Sequence, residues 1–130
     1  MKTLWVHRDI DAPPEAVWAL LADPAKWPEW GPTVRSAELQ GDRLSVGATG
    51  TVTTVLGVRL SFEITSYDEG ERWGWKVAGI PATDHTVEPL GPHRCRAGLA
   101  APWAAAPYLA VCRVALGRLD AMANLRKAAT

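Results

Sequence analysis

The sequence predicts one α+β domain in which an antiparallel sheet packs against a long C-terminal helix. Apolar and polar residues alternate with period two between residues 34 and 99. Turn-forming residues interrupt that alternation about every 8–12 residues, which is typical of a meander. Apolar residues then recur at helical spacing from about residue 107 to residue 127. The chain of 130 residues suits a single domain, 1–130, with one sizeable core.

A strand and two short helices precede the meander. Residues 4–10 alternate, which predicts a strand. One face of this strand carries Leu4, Val6, Arg8 and Ile10. The segment "DAPPEAVWALLADP" predicts a short helix, because two prolines begin it and Asp23-Pro24 ends it. Asp23 can cap the brief helical segment that follows, "PAKWPEWGP".

Six more strands are predicted from the period-two region. They lie near residues 34–40, 49–56, 58–66, 71–79, 82–90 and 93–100. The fourth turn is expected at "GIP", residues 79–81. Residues 58–65, "VRLSFEIT", alternate most clearly, and a sheet of this kind has one buried face and one wet face. The same alternation places six residues on the buried face: Leu60, Phe62, Trp73, Trp75, His85 and Val87.

The C-terminal helix is predicted over residues 107–127, after the break "APWAAAP". At 100° per residue, a wide arc of this helix is mostly apolar. The arc contains Tyr108, Val111, Cys112, Ala115, Leu119 and Met122. Arg118 falls inside the same arc. Because the arc covers over a third of the circumference, we expect the helix to be largely enclosed by the rest of the domain.

Composition limits the classes of partner. Lys plus Arg and Asp plus Glu both number 14, so the net charge is zero and nucleic-acid binding is not expected. No stretch approaches ~18 uninterrupted apolar residues, so we expect no transmembrane helix. The N-terminal residues contain no apolar export segment. Cys95 and Cys112 lack zinc or redox spacing, so we expect free thiols in a reducing cytoplasm.

Tryptophan is unusually frequent, with seven residues against one Phe and two Tyr. In the stretch "RWGWKV", Trp73 and Trp75 share the inward face, while Arg72 and Lys76 point outward. An indole ring suits a packed core, and it also suits the wall of a ligand cavity. The sequence leaves both interpretations open for this pair.

Two segments carry a resemblance to a known family. "IDAPPEAVWALLADPAKWPEW" and "GIPATDHTVEPLGPHRCR" resemble the START-like, Bet v 1-like (SRPBCC) superfamily, in its bacterial polyketide cyclase/dehydrase branch. The resemblance implies a helix-grip fold: a curved seven-stranded antiparallel sheet wraps the C-terminal helix and encloses a cavity. Relatives bind lipids, polyketides, hormones or quinones. Some cyclise or dehydrate polyketides, and others only bind or carry a ligand.

His85 is the candidate catalytic residue. Adjacent residues of a strand point to opposite faces, so Asp84 and His85 cannot form an acid–base dyad. His85 faces inward, where it is either a histidine satisfied by one hydrogen bond or a general acid/base. Together with His7 and His93 it has no metal-ligand spacing, so we expect no metal. We also expect no cofactor.

Two arginines and two tryptophans are further candidates. Arg8, if it faces inward with its neighbours, would bind a carboxylate or phenolate of a ligand or pair with an internal acid. The alternative for Arg8 and for Arg118 is a side chain that reaches the solvent at the mouth of the barrel. Trp27 and Trp30 lie on the short helix near the expected mouth, either as packing residues or as a lid.

Three functions remain open from the sequence. The leading hypothesis is a protein that binds a small apolar ligand, aromatic or polycyclic, between sheet and helix. The residues expected to line its site are Leu60, Phe62, Trp73, Trp75, His85, Val87, Tyr108, Met122, Arg8 and Trp30. The alternatives are a polyketide cyclase or dehydratase with His85 as general acid/base, and a protein-interaction module with a filled core. A homodimer stays open. A cavity of ~300 Å³ or more favours the first two, and one under ~100 Å³ favours the third.

Overall fold

The computed structural model of the chain describes residues 3–129, without the side chains of Trp103, Ala104 and residues 126–129. It confirms the predicted fold class, with one curved seven-stranded antiparallel sheet, short helices after the first strand and a long C-terminal helix. Every predicted strand corresponds to an observed strand, and each strand end lies within two residues of its predicted position.

The strands are β1 Thr3–Ile10, β2 Val34–Leu39, β3 Thr49–Thr54, β4 Arg59–Asp68, β5 Arg72–Val77, β6 Ile80–Gly91 and β7 Arg94–Pro102. The α-helices are α1 Pro14–Ala22, α2 Trp27–Trp30 and α3 Leu109–Ala129, and short 3₁₀ helices span Pro24–Lys26 and Trp103–Tyr108. The Asp23 carboxylate accepts a hydrogen bond from the Ala25 N–H at 3.0 Å, as the predicted cap requires.

The sheet has the order β1-β7-β6-β5-β4-β3-β2, and all neighbouring strands are antiparallel. Because β1 and β2 form opposite edges, the chain between them must cross the open side of the sheet, and α1 and α2 make that crossing. Helix α3 packs mainly on β1 and β7, and it also contacts α1 and α2. The other half of the concave face, from β2 to β5, is left for a cavity.

Irregular pairing bends the middle of the sheet. The pairing of β4 with β5 shifts register between Ile64 and Ser66 of β4. The pairing of β5 with β6 shifts register at Trp75 of β5. At the second shift, β6 places Ala82 and Thr83 against the single residue Trp75. A bulge of this kind increases strand twist and redirects side chains. It lies at the centre of the candidate site described below.

The hairpin between β5 and β6 differs from the prediction by one residue. Val77 pairs with Ile80, so Ala78 and Gly79 are the two turn residues. Their φ angles are 53° and 78°, and a two-residue type I′ turn requires positive φ at both positions. The predicted turn at residues 79–81 was wrong, because Gly79 is the second residue of the turn and Ile80 already belongs to β6.

Burial agrees with the predicted inner face of the sheet. Phe62, Trp73, His85 and Val87 are buried, and Leu60 and Trp75 are partly buried. The helix face is only partly as predicted. Cys112, Ala115 and Leu119 are buried, but so are Leu116 and Ala123, which the predicted arc omitted. Arg118, expected within the arc, is exposed, because it lies about 100° around the helix from the fully buried Leu119.

The turn at Ala78 gives a prediction for stability. An L-residue with positive φ is strained unless it is Gly or Asn. We expect Ala78→Asn to raise the free energy of unfolding by about 0.5–1 kcal/mol, measured by urea denaturation. Ala78→Val should lower it, because a β-branched side chain fits this region poorly. An unchanged or reduced stability of Ala78→Asn would contradict a strained turn.

Candidate functional site

Two adjoining cavities lie between the concave face of the sheet and the helices. The inner cavity has a volume of about 40 Å³ and is surrounded by aromatic side chains. The outer cavity has a volume of about 290 Å³ and opens towards the solvent. Five residues line both: Thr33, Val34, Trp75, Thr83 and Tyr108. The two spaces therefore share a wall and form one continuous candidate site.

A stack of three rings forms the floor of the inner cavity. The ring centroids of Trp27 and Trp73 are 5.1 Å apart with an interplanar angle of 18°. Those of Trp73 and His85 are 3.7 Å apart with an angle of 16°. Trp75 stands edge-on to this stack, 5.2 Å from Trp27 and 5.4 Å from Trp73. Both geometries are favourable for aromatic pairs.

Three indole N–H groups, those of Trp27, Trp30 and Trp73, bind the end of α1. Trp27 and Trp73 both donate from Nε1 to the Leu21 carbonyl oxygen, at 2.8 Å and 3.2 Å. Trp30 donates to the Leu20 carbonyl oxygen at 2.9 Å. The last four carbonyls of a helix have no partner within the helix. The tryptophans supply partners for two of these carbonyls and thereby fix α1 to α2 and to the sheet.

His85 is held at both ring nitrogens. Its Nδ1 lies 3.1 Å from the Trp73 carbonyl oxygen, which only accepts, so Nδ1 carries the proton. Its Nε2 lies 3.2 Å from the Thr83 hydroxyl oxygen, which donates to it. The same hydroxyl accepts the Trp75 Nε1–H at 2.9 Å. A continuous chain of hydrogen bonds therefore runs from Trp75 through Thr83 to His85.

Burial keeps His85 neutral. Desolvation lowers the pKa of His85 to about 3, and the hydrogen bond to the Trp73 carbonyl opposes that shift only in part. Asp84, the next residue, points to the opposite face of the sheet, as predicted. There its carboxyl group interacts electrostatically with Arg72. Desolvation raises the pKa of the Asp84 carboxyl, and the Arg72 charge lowers it. The two residues do not act as a pair.

The outer cavity is apolar with a few hydroxyl groups. Its lining consists of Thr33, Val34, Val52, Thr53, Thr54, Leu60, Trp75, Val77, Pro81, Ala82, Thr83, Ala101, Pro102, Ala105 and Tyr108. None of the residues that line either cavity is Asp, Glu, Lys or Arg. A ligand would therefore meet apolar surface and neutral hydrogen-bonding groups, with no charged partner.

Tyr108 closes the boundary between the cavities. Its hydroxyl lies 3.0 Å from the hydroxyl of Thr33, which joins the start of α3 to the segment before β2. Burial raises the pKa of Tyr108, and the hydrogen bond to Thr33 partly opposes the rise. The phenol is therefore neutral near pH 7, and it can donate or accept one hydrogen bond to a ligand.

Several predicted site residues lie outside both cavities. Arg8 forms an ion pair with Asp120 of α3, at 2.7 Å, and does not line the site. The Arg8 side chain is 50% exposed and that of Asp120 is 21% exposed, so this is an ion pair at the surface and not an inward Arg bound to an internal acid. Phe62 and Val87 are buried in the core, and Met122 packs against the core. The structure brings together Leu60, Trp73, Trp75, His85, Tyr108 and Trp30 around the two cavities.

Trp27 and Trp30 are not at a mouth. Trp27 is 1% exposed and Trp30 is 6% exposed, and both are fixed by hydrogen bonds to α1. Of the two alternatives that the sequence left open, the structure fits packing residues and not a lid, because both indoles bind carbonyl groups of α1. Sequence reasoning missed Thr83, although it shares the inward parity of His85 and Val87.

Among the residues that the structure describes, no three His, Cys, Asp or Glu side chains are grouped to hold a metal ion. Within the same part of the chain, no helix combines the length and the apolar character needed to cross a membrane.

Comparisons with known proteins agree on the architecture. A family described as "Polyketide cyclase / dehydrase and lipid transport" matches residues 1–129. No curated protein sequence matches the chain. Protein XoxI from Bacillus cereus is 14% identical with a TM-score of 0.75, covering 95% of this chain and 96% of that chain.

Two further solved structures have a known context. A point mutant of norcoclaurine synthase from Thalictrum, in complex with a transition-state analogue, is 12% identical with a TM-score of 0.66, covering 97% of this chain and 96% of that chain. The di-domain ARO/CYC BexL from the BE-7585A biosynthetic pathway is 15% identical with a TM-score of 0.71, covering 92% of this chain and 45% of that chain. At these identities the likeness establishes the fold alone.

The burial of His85 predicts a pH dependence of stability. Its folded pKa of about 3 lies below the ordinary value of 6.5, so the unfolded chain takes up the proton first as the pH falls. The contribution is complete above the unfolded value. It falls by up to about 1.4 kcal/mol per pH unit between the two values. Urea denaturation as a function of pH measures it.

Two variants isolate this contribution from other acid-sensitive groups. His85→Gln should lose most of the slope between the two pKa values, whatever its absolute stability. His93→Gln, changed at an exposed histidine of the β6–β7 turn, should retain the wild-type slope. Equal slopes in the wild type and His85→Gln would show that His85 is not buried in its neutral form.

Proposed function

The chain belongs to the polyketide cyclase/dehydrase and lipid transport family, and on that basis we propose that it binds a neutral, mainly apolar small molecule in the outer cavity. An aromatic or polycyclic ligand fits this proposal best. The observation that carries it is a cavity of about 290 Å³ lined without any charged side chain. Apolar pockets with a few convergent polar groups are typical of small-molecule sites.

The polar groups of the lining suggest how the ligand is oriented. Thr83 and Tyr108 both face the boundary of the two cavities, and each hydroxyl already has a partner within the protein. Thr83 donates its proton to His85, so it can still offer a lone pair to a hydroxyl group of the ligand, whereas Tyr108 can offer a lone pair or a proton. The ring of Trp75 lies beside them as a flat apolar wall. A planar ligand with one or two oxygen atoms matches this arrangement.

The absence of charge in the lining favours a neutral ligand over an ionised acid. A carboxylate moved into this cavity would lose its hydration and meet no cation among the lining residues. Arg8, which could have compensated that charge, is paired with Asp120. We therefore expect fatty acids and aromatic acids to bind less tightly than neutral molecules of similar shape.

The arrangement of His85 supports binding more than acid–base catalysis. A general base works best with a pKa near the operating pH, and desolvation lowers the pKa of His85 to about 3. Its Nε2 lone pair is already occupied by the Thr83 hydroxyl. The alternative of a cyclase or dehydratase that uses His85 as proton shuttle is therefore less well supported than ligand binding.

The third hypothesis, an interaction module with a filled core, is also less well supported. Only the inner cavity is nearly filled, by the aromatic cluster. The outer cavity is close to the ~300 Å³ expected of a ligand site.

The buried free thiols of Cys95 and Cys112 are compatible with the reducing cytoplasm that the sequence suggests.

Ligand titration followed by tryptophan fluorescence tests the proposed function. We expect a neutral polycyclic aromatic compound to change the emission saturably, because the ring of Trp75 forms part of the outer cavity. An equivalent aromatic acid in its ionised form should bind at least severalfold more weakly. Trp75→Phe should lose most of the change in emission while its unfolding transition stays cooperative.

A pair of neighbouring alanines supplies the matched control. Ala105 lines the outer cavity, whereas Ala106 is exposed and does not. We expect Ala105→Phe to fill part of the cavity and weaken binding at least severalfold, and Ala106→Phe to bind like the wild type. Equal binding by both variants would place the ligand elsewhere. Failure of the whole panel to bind would contradict the proposed function.

A further inference from the structure

Exposed apolar side chains surround the mouth of the outer cavity. The β3–β4 turn carries Val55, Leu56 and Val58, which are 56%, 87% and 50% exposed. Ile80 at the start of β6 is 67% exposed. With Tyr108, these are five of the ten large apolar side chains that are exposed among the described residues. We call these five residues the apolar rim.

The apolar rim is continuous with the wall of the outer cavity. Thr54 and Leu60 line the cavity and flank the β3–β4 turn, and Pro81 lines it next to Ile80. Backbone hydrogen bonds fix both turns in place. The Val55 N–H donates to the Thr33 carbonyl oxygen at 3.0 Å, and the Ala78 N–H donates to the Ser61 carbonyl oxygen at 2.8 Å.

The segments that supply most of the outer cavity's lining carry charge of one sign. These segments are residues 31–37, 50–62, 77–83 and 99–113, and none contains Asp or Glu. They contain Arg35, Arg59 and Arg113, all exposed. None of these three forms an ion pair with any residue that the structure describes. The 14 acidic residues of this neutral chain all lie in other segments.

We propose that the apolar rim docks on an anionic phospholipid surface and presents the mouth of the cavity to it. Exposed apolar tips can enter the boundary between head groups and acyl chains, and unpaired arginines beside them attract lipid phosphates. The inference rests on the proposed function in one respect, since the rim surrounds the same cavity. Docking would give an apolar ligand a path that avoids water.

A second copy of the chain fits this surface less well. In a two-fold dimer the same patch meets itself, so the arginines of one rim would face the arginines of the other. Like charges brought together in this way disfavour the contact. A lipid surface instead supplies the opposite charge and needs no complementary shape. The anionic lipid is therefore the occupant that both the apolar and the charged residues favour.

Vesicle co-sedimentation tests the inference. The full chain should bind vesicles of phosphatidylcholine and phosphatidylglycerol, bind pure phosphatidylcholine vesicles much less, and lose affinity as salt is raised. Leu56→Asp should weaken partitioning at least about tenfold. Arg59→Gln should weaken it about fivefold. Leu125→Asp, changed at a 71% exposed leucine of α3 remote from the rim, should bind like the wild type.

The controls separate folding, self-association and ligand binding. All three variants change exposed side chains, and thermal unfolding checks that each is folded. Anionic vesicles that do not bind the wild type, or that bind Leu56→Asp equally well, would overturn the proposal. So would a wild-type dimer in analytical ultracentrifugation that Leu56→Asp converts to a monomer. Ligand titration without vesicles shows separately whether the cavity works, so each proposal can fail alone.

Discussion

The carbonyl oxygen of Leu21 is the point on which the rest of the site depends. It accepts one N–H from Trp27 and one from Trp73, which join helix α1 to α2 and to strand β5. Only tryptophan among the large apolar side chains offers both a broad ring and a donor without an acceptor. The two indoles then stack, and Trp73 in turn supports the ring of His85. The same indole rings therefore satisfy a carbonyl group at the end of α1 and form the floor of the inner cavity.

The contacts of His85 with this floor explain why its ring is neutral. The ring is buried against Trp73, its Nδ1 proton is bound by a backbone carbonyl, and its Nε2 is bound by Thr83. Burial and the Thr83 hydroxyl favour the neutral imidazole, and the bond to the Trp73 carbonyl opposes them only in part. The histidine thus holds Thr83 and Trp75 in one orientation, and those two residues face the larger cavity. Under the proposed function, the role of His85 is to position these neighbours.

The sequence predicted the sheet well because alternation reports which face each side chain occupies. Trp73 and His85 were placed inward for that reason, and Asp84 outward. Alternation does not report where along a strand a cavity begins, so Phe62 and Val87 were expected in the site although they belong to the core. The bulge that places Thr83 opposite Trp75 depends on pairing between strands and leaves no pattern in one strand. Asp120, the partner of Arg8, lies 112 residues away along the chain.

The two cavities share five lining residues, but the tryptophans that bind α1 line only the inner cavity. Apart from Leu60, Trp75 and Tyr108, the outer cavity is lined by small residues from many different elements. Most of these small side chains could be exchanged without disturbing the hydrogen bonds to α1. Ligand preference can therefore drift during evolution while the scaffold is conserved. This separation makes the outer cavity a natural starting point for redesign.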